Sequence, residues 1–147
     1  WLFGPAAKLA ELTALSAWAT AKLAGQSGAM DRWMARTGSQ LDAQGLDLYT
    51  QVLSHPGHVH GVLSMMAAWR LKPLAARLHL IRNPVFMAIG SNDQTIPPAL
   101  AQEACQRLPQ AQKSLQMGLG HLAHEQDPLG TVQQILRWSQ PTPATPA

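Results

Sequence analysis

The chain has 147 residues, 46% of them hydrophobic, and a net charge of +3 at neutral pH, which fits one ordinary soluble domain with room for a substantial core. Its Lys and Arg residues are scattered among separate segments, so no basic stripe marks a nucleic-acid surface. No apolar run approaches the roughly 20 residues that span a bilayer, and the start lacks the charged-then-apolar order of a signal peptide, so a cytoplasmic location is expected.

The chain opens on Trp1-Leu2-Phe3-Gly4-Pro5-Ala6-Ala7, an apolar stretch that reads as the interior of a longer protein, and a fragment is expected. From Pro5 to about Leu80 the sequence is rich in Ala, Leu, Met and Trp, broken at Gly25-Gln26-Ser27-Gly28, Thr37-Gly38-Ser39 and Pro56-Gly57. This pattern predicts several short helices. One starts after Asp42, a good N-cap, and puts Leu46, Tyr49 and Leu53 on one face. Another follows Pro56-Gly57, with Val59, Val62, Leu63, Met66 and Trp69 as a stripe expected to pack away from water; Pro73 ends it or begins the next.

From Asn83 the grammar changes. Pro84-Val85-Phe86-Met87-Ala88-Ile89 is a short continuous apolar run ending at Gly90, as for a strand buried on both faces. Pro97 and Pro98 suit the first turn of a helix carrying Leu100, Ala101, Ala104, Cys105 and Leu108. Cys105 is the only cysteine, which excludes an internal disulfide and leaves the redox compartment open; a small buried side chain is expected there. A weaker strand, Ser114-Leu115-Gln116-Met117, leads into Gly118-Leu119-Gly120-His121. The last helix should begin with Asp127 as N-cap and Pro128 at its first position, burying Val132, Ile135 and Leu136. A Pro/Thr tail follows, disordered by composition.

The order strand, helix, strand, helix implies an α/β fold with a parallel sheet, whose functional residues lie just beyond the carboxyl ends of strands. Both such places carry a reactive residue, Asp93 and His121. Together they suit the acid and the base of a Ser–His–acid triad, in which a carboxylate orients an imidazole that shuttles the nucleophile's proton. Each alone has a plainer reading, Asp93 as a turn aspartate and His121 as a loop histidine bonded to backbone. No Gly-x-Ser-x-Gly elbow occurs in the sequence, and Ser27 and Ser91 do not sit in a strand-to-helix turn, so the nucleophile is absent from this chain. An acid and a base without a nucleophile form no acyl enzyme, and the chain alone is expected to be inactive.

His55-Pro56-Gly57-His58-Val59-His60 holds three imidazoles, but it reads as a loop entering a helix, where His58 and His60 diverge, and no nearby Cys or carboxylate completes a ligand set. No metal site and no cofactor are expected. His124 either approaches the His121 site or is solvated, and Glu125 caps or pairs locally. Trp33, Met34, Met65, Met66 and Trp69 read first as core; the other reading is a pocket for a large apolar ligand, with Trp69, Met65 and Met66 as the candidate contacts.

The turns Gly90-Ser91-Asn92-Asp93-Gln94-Thr95-Ile96-Pro97 and Gly118-Leu119-Gly120-His121 closely resemble the acid and histidine turns of the α/β-hydrolase superfamily. Three strings narrow the resemblance: Thr37-Gly38-Ser39-Gln40-Leu41-Asp42-Ala43-Gln44-Gly45-Leu46-Asp47-Leu48-Tyr49, Ser54-His55-Pro56-Gly57-His58-Val59, and Gly61-Val62-Leu63-Ser64-Met65-Met66-Ala67-Ala68-Trp69. They resemble the lid of the BchO-type magnesium-chelatase accessory proteins of bacteriochlorophyll synthesis, from about Phe3 to Trp138. The resemblance implies a C-terminal portion of an α/β-hydrolase fold: residues 1–80 as a helical lid, 81–139 as the last part of the core, and 140–147 as the tail. It carries Asp93 and His121 over as triad positions. It also implies an accessory role in magnesium insertion into protoporphyrin, with a porphyrin-type or small apolar ligand and chelatase subunits as partners. A serine ester hydrolase of small apolar substrates and a non-catalytic porphyrin- or chelatase-binding module are the alternatives. A half sheet exposes an edge and an apolar face, so self-association is expected.

Overall fold

The structure, a computed structural model, describes residues 14–140. The apolar start and, from residue 141, the Pro/Thr tail lie outside the described residues. The chain divides into two compact units: the first runs to Arg36 and resumes over Leu41–Arg77, and the second takes Thr37–Gln40 and everything from Leu78. The Thr37-Gly38-Ser39 break, read from sequence as part of the helical half, thus belongs to the second unit. Among the described residues no helix is long and apolar enough to cross a membrane.

Among the described residues five helices build the first unit: α1 (Ala14–Ala24), α2 (Ala29–Arg36), α3 (Ala43–Leu53), α4 (Pro56–Ala68) and α5 (Leu71–Arg77). Asp42 stands extended before α3 and its Oδ1 accepts from the Gly45 N–H at 2.7 Å, satisfying one of the donors a helix start leaves open. Leu46, Tyr49 and Leu53 are half-buried together, as their spacing requires. Pro56 opens α4 at a position that needs no N–H, and Pro73 lies in the first turn of α5, so it begins a helix. Ala17 and Ala21 of α1 pack with Val59 of α4 and with the partly buried Leu53 and Leu63; two alanines let the helix backbones approach closely. Along α4 the apolar stripe holds through Val59, Val62, Leu63 and Met66, but Trp69 is 48% exposed. The chain turns extended at that residue (ψ 128°), so its side chain leaves the helical stripe.

The second unit holds a 3₁₀ turn (Leu78–Leu80), β1 (Val85–Gly90), α6 (Pro98–Arg107), β2 (Ala111–Gln116), a short α7 (Ala123–Gln126) and α8 (Pro128–Ser139). β1 and β2 pair in parallel, Val85 opposite Ala111 through Gly90 opposite Gln116. β2 begins three residues earlier than its sequence indicates and stops before Met117. Its first residues, Ala111-Gln112-Lys113, carry no strand pattern of their own and are ordered by hydrogen bonding to β1. Pro98 is the first residue of α6, and Cys105 on that helix is only half-buried, its thiol donating to Met87 Sδ at 3.1 Å.

Asp127 caps α8, accepting from the Gly130 N–H at 2.9 Å. The helix meets the sheet through Gln134 and Trp138, one turn apart: Gln134 exchanges two amide hydrogen bonds with the buried Gln116, and Trp138 stacks on Phe86 with ring centroids 5.6 Å apart. That contact turns Leu129, Val132, Ile135 and Leu136 outward, and all four are exposed, contrary to the expectation that Val132, Ile135 and Leu136 are buried. β1 also departs from the reading of a strand buried on both faces. Ile89 and Gly90 are buried, Val85 to Met87 are half-buried and Ala88 is exposed, because a two-stranded sheet with these helices covers the strand only in part.

Candidate functional site

The carboxyl ends of β1 and β2 lie side by side in the parallel pair, and the turns that leave them are tied together by hydrogen bonds. The Ser91 N–H donates to Gln116 O and the Asn92 N–H to Leu119 O, both at 2.9 Å. The Asn92 amide donates to Gly118 O at 3.1 Å, and Ser91 Oγ accepts from the Gly118 N–H at 2.8 Å. Gly120 N–H donates to Gln126 Oε1 at 2.7 Å, which closes the histidine turn onto α7.

Within this frame Asp93 and His121 meet, His121 Nδ1 standing 2.9 Å from Asp93 Oδ2. The other carboxylate oxygen, Oδ1, accepts from the Thr95 and Ile96 N–H groups, each at 2.8 Å. These bonds hold the carboxyl group against rotation and present one oxygen to the ring. A carboxylate only accepts, so Nδ1 carries the hydrogen, and in the neutral form of the ring Nε2 then holds the free lone pair. The Asp93 side chain is 12% exposed and that of His121 33%, so the acid is shielded while the base keeps an open side. This arrangement can take a proton at Nε2 and stabilise the imidazolium that results.

A third segment completes the site. The Thr37 carbonyl accepts from both the Gln94 and the His121 N–H groups at 3.2 Å, and Ser39 Oγ accepts from the Leu122 N–H at 2.9 Å. Gly38 has φ +78°, and a Cβ there would overlap the Asn92 carbonyl oxygen; a Cβ on Gly120 would overlap the Gly38 carbonyl. The backbones therefore touch where only glycine fits.

No protein-family model matches the chain. It is 41% identical over 102 residues to the magnesium-chelatase 30 kDa subunit of Rhodobacter capsulatus, an overlap of 69% of this chain and 36% of that protein. Among solved structures it superposes on MenH of S. aureus with TM-score 0.61 and 18% identity, over 85% of this chain and 50% of that one. A protein assigned as a lipase from Acinetobacter baumannii gives TM-score 0.61 and 15% identity, over 79% and 42%. The chain has the α/β-hydrolase fold and is a relative of the chelatase subunit. It spans about a third of the length of that curated relative and half or less of the two structures.

In this portion of an α/β-hydrolase fold, sequence reasoning singled out Asp93 and His121, and the structure brings them together. It did not single out Thr37, Ser39, Asn92 or Gln126 as parts of the same site. Only the Gly in Thr37-Gly38-Ser39 signalled a special backbone there; the contact with residues more than 50 positions away has no local signal. His124 does not join the pair: it is 63% exposed and its Nε2 lies 3.5 Å from Glu125 Oε1. Ser39 and Ser91 are engaged with the Leu122 and Gly118 N–H groups, and neither sits in a strand-to-helix elbow. His58 and His60 lie two apart on α4, where side chains diverge, and no cluster of three His, Cys, Asp or Glu side chains occurs among the described residues. In the helical unit Met34 is buried and Trp33 half-buried, in keeping with core, while Met65 and Trp69 are half open to solvent and Met66 is partly covered.

Proposed function

We propose that the chain is part of an α/β-hydrolase-fold accessory protein that acts with magnesium chelatase, in which Asp93 is the acid and His121 the base of a Ser–His–Asp triad. The observation that carries the chelatase role is the 41% identity to the magnesium-chelatase 30 kDa subunit. The resemblance of the lid strings supports the same pathway, magnesium insertion into protoporphyrin. In this reading residues 1–80 serve as the helical lid, and Met65, Met66 and Trp69 offer apolar and flat surface to a porphyrin-type ligand. The nucleophile comes from another part of the whole protein. Magnesium insertion by purified chelatase subunits, with and without the whole protein, tests the role: a higher rate or yield with the protein is expected, and an unchanged time course rejects it.

The pairing of His121 with a doubly anchored carboxylate favours a second reading, a serine ester hydrolase of small apolar substrates. A fluorophosphonate probe separates the two families of outcome. Labelling of the whole protein that is lost in His121→Ala supports hydrolase-type chemistry. A folded whole protein that takes no label favours a non-catalytic porphyrin- or chelatase-binding module.

A further inference from the structure

We propose that Thr37–Ser39 is a positioning strap for the Asp93–His121 pair, with Ser39 the side chain that sets the imidazole against its carboxylate. This inference rests on the reading of those two residues as acid and base and adds the element that aligns them.

Asp93 and His121 are 28 positions apart, on turns that follow different strands. One carbonyl, that of Thr37, accepts an N–H from each turn: Gln94, next to the acid, and His121 itself. Two residues on, Ser39 Oγ accepts the N–H of Leu122. Both N–H groups that flank the His121 carbonyl-to-Cα unit are therefore held by the strap, which fixes the backbone from which the ring projects. The strap is buried where it does so, with Ser39 at 2% exposure, and Ser39 is the most deeply buried of the polar side chains described. A buried hydroxyl that accepts from one turn, beside a carbonyl that bridges two, is poorly explained as a solubilising loop residue. Glycine at positions 38 and 120 is the condition for the approach, since a Cβ at either would overlap backbone atoms of the opposing segment. Along the chain the strap is the connection between α2 and α3.

The test uses the whole protein carrying ¹⁵N-histidine, observed by NMR at the Nδ1–H of His121. That proton, held by Asp93, should give a low-field resonance absent from His121→Ala and Asp93→Ala. Ser39→Ala, which adds no bulk, is expected to abolish or broaden the resonance while circular dichroism stays native. Val59→Ala, a core change in the helical unit, is expected to leave it in place. An unchanged resonance in a folded Ser39→Ala protein, or an equal loss in Val59→Ala, overturns the proposal. Amide exchange in the unaltered protein gives a reading that needs no variant. The His121 and Leu122 amides should be protected like those of the β1–β2 pair, and exchange at the rate of open turns counts against the strap. Where the fluorophosphonate labels, its rate should fall roughly 10- to 100-fold in Ser39→Ala, the scale of a small misplacement of a reacting group. Absence of label in the unaltered protein counts against triad chemistry alone, and the resonance still decides the strap.

Discussion

The proposed role of Asp93 rests on three hydrogen bonds that a sequence does not display. Thr95 and Ile96 close an Asx-type turn on Oδ1, which leaves Oδ2 as the one oxygen directed at His121. The plain reading of an aspartate in an Asn-Asp turn is met by Oδ1, while Oδ2 faces His121 as the proposed acid role requires. Replacing Asp93 with Asn keeps the size but offers an amide where the ring needs an acceptor. In the whole protein, fluorophosphonate labelling should fall on the order of 10⁴-fold, the loss seen when the acid of such a triad becomes an amide. Retention of most of the rate would exclude the acid role. A simpler residue is Asp42, whose carboxylate caps α3 through Gly45. Asp42→Ala should lower stability by about 1 kcal/mol, read as a shift of the urea midpoint without a change of slope.

Among elements, α8 departs furthest from its sequence pattern. Its apolar residues recur at helical spacing, yet the side turned to the sheet is that of Gln134 and Trp138. The reason is the partner surface: β2 places the buried Gln116 there, and an amide in that position must be answered by another hydrogen-bonding group. Gln134→Ala leaves the Gln116 amide without that partner and should cost about 1–3 kcal/mol, whereas Val132→Ala, on an exposed position, should cost less than about 0.5 kcal/mol. Equal midpoints for the two variants in urea unfolding would contradict this account of how the helix is docked. In the helical unit the corresponding element-level contact is Val59 against Ala17 and Ala21. The burial of Val59 was readable from helical periodicity, as was the capped start of α3, whereas the partner residues Ala17 and Ala21 were not.

At the scale of the molecule, exposed apolar groups on α8 (Leu129, Val132, Ile135, Leu136), with Leu115 and Met117 at and just beyond the end of β2, outnumber the large apolar side chains buried among the described residues. A two-stranded sheet also leaves backbone donors and acceptors open along its outer edges. The 147-residue chain by itself is therefore expected to self-associate, with a sedimentation coefficient that rises with concentration; a monodisperse monomer that unfolds cooperatively would contradict this. Trp69→Ala in the whole protein should weaken protoporphyrin binding by roughly tenfold, followed by quenching of protein fluorescence, and unchanged binding removes Trp69 from the ligand surface. By itself the amino-acid sequence determined the helices, their caps, the parallel order of the two strands and the acid and histidine turns, because those features depend on local spacing, Pro and Gly chemistry and the rule for strand ends. Tertiary structure alone decided which face of α8 docks, that Trp69 leaves its stripe, and that Thr37 and Ser39 bind the turns of Asp93 and His121. The first and last of these depend on hydrogen bonds between residues far apart in the chain, and a linear pattern carries no record of which distant donor will meet which acceptor; Trp69 departs through the extended backbone that ends its helix.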